Sequence, residues 1–85
     1  MKYDNNFNDK NDLIDALNRG CEVEFLYNEK QYSITHVDVG ICILEFYNED
    51  SLRIYSDATQ AVEHIIDGKK LKDILKEMKI IDRSF

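Results

Sequence analysis

Four side chains in this sequence have the chemistry for nucleophilic or metal work: Cys21, Cys42, His36 and His64. By type they make a zinc-like set, but zinc ligands usually come in close pairs such as Cys-x2–4-Cys. Twenty residues separate Cys21 from Cys42 and 27 separate His36 from His64, so the spacing does not point to a metal. A Cys–His nucleophile needs a thiolate held beside a base. Strand alternation places Cys42 and His36 on neighbouring strands and on the same inward face, which makes theirs the one catalytic pairing to weigh. No glycine-rich loop accompanies it, because Gly20, Gly40 and Gly68 are isolated, and the same isolation argues against a phosphate-binding loop. Carboxylate neighbours such as Glu22 with Glu24, or Glu49 with Asp50, do acid–base work only in a cleft that shifts their pKa. No calcium loop of alternating Asp and Asn ending in Glu is present. The expectation is a non-enzymatic protein with no metal and no cofactor, in which Cys42 is a small core residue.

Charge is the next informative feature. The 85 residues carry 17 acids and 11 bases, a net of −6. Residues 1–67 hold 14 acids and 5 bases, whereas residues 68–85 hold 3 acids and 6 bases. An acidic body repels nucleic acid and anionic lipid, so neither direct nucleic-acid binding nor membrane association is expected. The basic run from Lys69 to Lys79 is interrupted by Asp73 and Glu77 and reads as a solvated face. The first residues lack the apolar stretch of a signal peptide, and the longest apolar run, residues 41–44, is far too short to span a bilayer. A cytoplasmic location with both thiols reduced is the expectation.

These side chains must be positioned by a small α+β domain. One domain over residues 1–85 is expected, with residues 1–8 loose. Asn8 or Asp9 can cap a first helix running to about Asn18, with Leu13, Ile14 and Leu17 on one face and Gly20 as its left-handed C-cap. Residues 21–27, 31–37, 41–47 and 52–55 read as strands, separated by turns at 28–30, 38–40 and 48–51. The predicted fold is a four-stranded antiparallel meander sheet with one N-terminal and two C-terminal helices packed mainly on one face. Ser56 or Asp57 caps the second helix, whose stripe is Ala58, Ala61, Val62, Ile65 and Ile66, and Asp67-Gly68 breaks it. The third, over residues 70–79, presents Leu71, Ile74, Leu75 and Met78 at helical spacing. The inward sheet face is read as Val23, Phe25, Ile34, Cys42, Leu44, Phe46, Leu52 and Ile54. The outward face is read as Leu26, Val37, Ile41, Ile43, Tyr47 and Tyr55, framed by Glu22, Glu24 and Glu45.

The stretches Phe25-Leu26-Tyr27-Asn28-Glu29-Lys30-Gln31-Tyr32-Ser33-Ile34-Thr35-His36, Glu45-Phe46-Tyr47-Asn48-Glu49-Asp50 and Ile66-Asp67-Gly68-Lys69-Lys70-Leu71 resemble small uncharacterised acidic proteins of Gram-positive bacteria and their prophages. Those proteins bring no established activity. The resemblance implies a hairpin, a turn into the fourth strand and a final helix, and it favours functions of phages and mobile elements.

A half-apolar sheet face with an acidic rim has the make-up of an interface. The first functional expectation is therefore a protein-binding module, with a homodimer as one form. Its candidate contact residues are Glu22, Glu24, Ile41, Ile43, Glu45, Tyr47, Glu49 and Asp50. The competing expectation for that face is a lid made by the C-terminal tail, Ile80, Ile81 and Phe85. A second functional expectation is an inhibitor whose acids, Glu22, Glu24, Glu45, Glu49 and Asp50, stand in for DNA phosphates against a host defence protein. An enzyme using Cys42 and His36 is the third.

Overall fold

A computed structural model describes residues 7–84. Asp9 caps α1 (Lys10–Asn18), its carboxylate accepting from the Asp12 amide at 2.9 Å. The helix ends as its sequence dictates. Gly20 adopts φ +88°, its N–H donates to the Leu17 carbonyl, and the Cys21 N–H donates to the Ala16 carbonyl. These two bonds make a Schellman motif. Leu13, Ala16 and Leu17 are buried on one face.

The chain then runs through β1 (Glu22–Tyr27), β2 (Lys30–Val37), β3 (Gly40–Glu45) and β4 (Asn48–Tyr55), an antiparallel meander. The β1–β2 turn is Asn28-Glu29, both with positive φ, the backbone twist that a two-residue hairpin favours. The sheet has five strands rather than four. The C-terminal segment becomes β7 (Lys79–Ser84) and pairs with β1, giving the order β4-β3-β2-β1-β7. The tail therefore extends the sheet at its edge, through Ile80 and Ile81, and does not fold over the outward face. Phe85, also read as part of that lid, lies outside the described residues.

The two C-terminal helices are the main departure. Asp57 caps α2 as expected, accepting from the Gln60 amide at 2.9 Å, but α2 (Ala58–Ala61) is a single turn. Asp67 and Gly68 both take positive φ and fold β5 (Ile65–Ile66) back onto β6 (Lys69–Lys70). An Asp-Gly pair between apolar and basic dipeptides is a hairpin signal as much as a helix stop. The hairpin is anchored by the Leu71 N–H on the His64 carbonyl and the Lys72 N–H on the Val62 carbonyl. The expected third helix is a 3-10 turn (Leu71–Asp73) followed by a further turn, in which the Ile74 carbonyl accepts from Glu77 and Met78. Its four apolar residues are all buried.

One core results. Val23, Phe25 and Tyr27 of β1, Tyr32 and Ile34 of β2, and Ile41 and Ile43 of β3 face α1, α2, Ile66, Leu71, Ile74, Leu75 and Met78. Of residues 1–8, all read as loose, residues 1–6 lie outside the described residues. Phe7 is in the core, with the Arg83 guanidinium 4.1 Å from its ring centroid. No helix among the described residues is long and apolar enough to cross a membrane.

Candidate interaction surface

Residues of α1, α2 and the segment from Ile66 to Met78 pack on one face of the sheet, and no described element covers the other. Register defines that face. Glu22 and Glu24 of β1 lie beside Thr35 and Ser33 of β2, and these lie opposite Cys42 and Leu44 of β3. Cys42 in turn lies opposite Ile54 of β4, and Leu52 shares the side of Ile54. On the other flank, Glu24 lies opposite Asp82 of β7 and Leu26 opposite Lys79. The face thus has two halves. The β3–β4 half is apolar, and Leu52 and Ile54 are 41% and 48% exposed. The β1–β7 half is acidic. At one end, a shallow concavity joins Leu26 and Gln31 to Phe46 and Tyr47 of the β3–β4 turn.

The residues expected on this face are only partly there. Glu22 and Glu24 are on it. Ile41 and Ile43 are 5% and 0% exposed and belong to the core. Cys42 and Leu44, expected inward, take the open side by register instead, although Cys42 is buried there at 8% exposure. The reason is that residues 41–44 are apolar at both parities, so alternation gives no phase. The two-residue turn Asp38-Val39 sets the phase by pairing Ile34 with Ile43. The same register reverses β4: Leu52 and Ile54 point out, and Tyr55 is half-buried against the core. Glu45 lies opposite Tyr32, on the covered side, and is half-buried. Glu49 and Asp50 are exposed at the start of β4. The five acids grouped as phosphate stand-ins therefore do not share one surface. Asp82, which does face Glu24, and the pair Leu52 and Ile54 were missed, and no local signal marks them.

Tyr47 is fully exposed at φ +64° in the turn. A non-glycine residue in this left-handed region costs roughly 1–2 kcal/mol. Tyr47→Gly is expected to raise stability by up to ~1 kcal/mol in urea denaturation. An unchanged or lower midpoint would mean that the edge-on contact of Tyr47 with Phe46, centroids 6.2 Å apart, offsets the strain.

The catalytic pairing does not form. Thr35, not His36, lies opposite Cys42, so Cys42 and His36 point to opposite faces. The His36 ring is hydrogen-bonded through Nε2 to the Cys21 carbonyl at 3.1 Å. Among the described residues, no group of three His, Cys, Asp or Glu is placed to hold a metal ion.

A second concave place lies at the β4 edge of the covered side. Tyr32, Glu45, Ser51, Arg53, His64 and Asp67 line a polar hollow of about 200 Å³. Next to it, Tyr55 Oη and His64 Nδ1 are 2.6 Å apart. Burial, and then the Arg53 charge, push the His64 pKa below 6.5; burial raises that of Tyr55. Burial, with Glu45 and Asp67, pushes Tyr32 up to about 12. At neutral pH these groups hold a neutral imidazole against a neutral phenol, an arrangement that locks α2 to β4. The unfolded state takes up a proton on His64 at higher pH than the folded state does. Stability from this group is therefore complete above pH 6.5 and declines as pH falls toward the lower folded pKa. His64→Gln should flatten that part of the stability–pH curve. A slope that persists unchanged would show that another group is responsible.

No protein-family model, curated protein or solved structure matches the chain.

Proposed function

We propose that this protein is a non-enzymatic interaction module that binds a protein partner through the open face of its sheet. One observation carries this reading: Leu52 and Ile54 stand half-exposed beside Leu44 on a sheet face that no described element covers. An antiparallel sheet tolerates one solvated face, but that face then reads polar; here one half of it is apolar. The polar hollow supports this reading less well, because its Arg53 already donates to the carbonyls of Asp50 and Leu52, at 3.1 and 2.7 Å. Service in a phage or mobile element is part of the proposal and rests on the sequence resemblance alone.

The test compares the wild-type chain with Leu52→Lys plus Ile54→Lys as parallel baits in affinity capture. Both sites are exposed, so the double variant should keep a thermal midpoint within a few degrees of wild type. A partner retained by wild type and lost by the variant supports the proposal. Equal retention by both baits, or none by either, counts against it.

A further inference from the structure

Resting on that reading, we infer that the occupant of the open face is an amphipathic helix of another protein, with an apolar stripe flanked on one side by Lys or Arg. A second copy of this chain does not fit.

Charge is the first argument. Glu24 and Asp82 lie directly opposite each other on β1 and β7, and Glu22 lies two residues along on the same face. Like charges directly opposite are destabilising. None of the three forms an ion pair among the described residues. Among the described residues the ion pairs engage Arg19, Lys30, Lys69, Lys70 and Lys72, none of them with Glu22, Glu24 or Asp82, and Lys79 is in register with Leu26 rather than with these acids. Hydrogen bonds from the His36 amide to Glu22 and from the Gln31 amide group to Glu24, at 3.2 and 3.4 Å, hold two of these carboxylates in place without neutralising them. Cations arriving on a partner would relieve that repulsion.

Symmetry and area give the second argument. The face is divided along the strand direction, apolar on β3–β4 and acidic on β1–β7. In a face-to-face dimer, a two-fold axis along the strands lays each acidic half on the other's apolar half. A two-fold axis across the strands lays acid on acid. Strand spacing of ~4.8 Å and a rise of ~3.3 Å per residue give the face a footprint of roughly 20 × 20 Å, about half of the ~800 Å² per partner in a standard interface. A helix about four turns long matches the length of that footprint, and at ~10–12 Å wide its body covers about half of the face, leaving its flanking side chains to reach across the rest. Its apolar stripe would lie over Leu44, Leu52 and Ile54, and its basic flank would reach Glu22, Glu24 and Asp82. Addition of a partner strand at β4 is disfavoured, because Arg53 fills carbonyl acceptors of that strand.

Three fluorescein-labelled 18-residue peptides serve as probes for the full chain by anisotropy. One has a Leu stripe with Lys at all other positions, one has the same stripe with Glu, and one is the Lys peptide scrambled to remove the stripe. The inference expects the Lys-stripe peptide to bind at least tenfold more tightly than either of the others. It expects that binding to weaken at least fivefold between 50 and 300 mM salt and to be lost with Leu52→Lys. With Glu24→Lys plus Asp82→Lys, preference should shift toward the Glu peptide. Stripe peptides that bind equally, with no response to charge reversal, overturn the inference and leave the open face standing as an apolar docking site. Light scattering that shows a dimer abolished by Leu52→Lys also overturns it, in favour of a second copy. No binding by any peptide removes the inference, and with a monomer at all concentrations the affinity-capture comparison alone then decides the proposed function.

Discussion

Deleting residues 70–85 is expected to unfold the protein rather than trim it. The segment looks dispensable by secondary structure, since it contributes a 3-10 turn, further turns and one edge strand. Its side chains say otherwise. Leu71 and Ile74 are 0% exposed, and Leu75, Met78 and Ile80 are buried with them in the single core. Losing one buried Leu, Ile or Met to Ala costs about 2–5 kcal/mol, against a total stability of about 5–10 kcal/mol for a domain of this size. Removing five such residues exceeds that total. It also strips β7 from β1 and exposes the backbone edge of β1. The truncated chain should lose its cooperative thermal transition by circular dichroism and its amide dispersion by NMR. Leu71→Ala and Ile74→Ala should each lower stability by about 2–5 kcal/mol in the intact chain. A truncated protein that melts cooperatively near the full-length midpoint would show that the segment is an appendage.

The second large effect is expected at Gly40. This residue opens β3 at φ +149°, and a Cβ placed there would lie 2.0 Å from the Tyr55 carbonyl oxygen, 3.0 Å from its carbon and 3.3 Å from Ser56 Cα. All three are backbone atoms, so no side chain can swing away. Gly40→Ala must push the end of β4 off β3, and with it the turn that leads into α2. The cost should be about 3–5 kcal/mol, combining backbone strain with lost ladder bonds. That corresponds to a fall of at least ~12 °C in the thermal midpoint. Gly20→Ala is the control. Gly20 also has positive φ, +88°, but nothing lies within 4 Å of its added Cβ, so only the left-handed backbone penalty of ~1 kcal/mol remains. Equal losses at the two positions would show that close packing at Tyr55 is not the cause.

Both effects arise where local sequence and global structure divide their influence. The local signals determined local features. Asp9 and Asp57 cap their helices, Gly20 ends α1, and the dipeptides Asn28-Glu29 and Asp38-Val39 form the turns of the β1–β2 and β2–β3 hairpins. Each of these depends on hydrogen bonds or dihedral angles within a few residues, which residue type alone can favour.

The tertiary structure decided three things the chain left open. Residues 41–44 carry apolar side chains at both parities, so only cross-strand register could choose Ile41 and Ile43 for the core and turn Cys42 away from His36. Residues 71–78 have helical spacing, yet the Asp67-Gly68 hairpin delivers them at an angle where short turns bury Leu71, Ile74, Leu75 and Met78. Burial of that stripe, more than helix propensity, sets their conformation. Residues 79–84 have no strand alternation of their own and become β7 because β1 offers an unpaired edge. The open face follows from all three. It takes Leu52 and Ile54 from a register fixed elsewhere and Asp82 from a strand that exists only by pairing. The net charge of −6 was plain in the composition, but only the fold could bring Glu22, Glu24 and Asp82 together, because strand pairing joins residues some 60 positions apart.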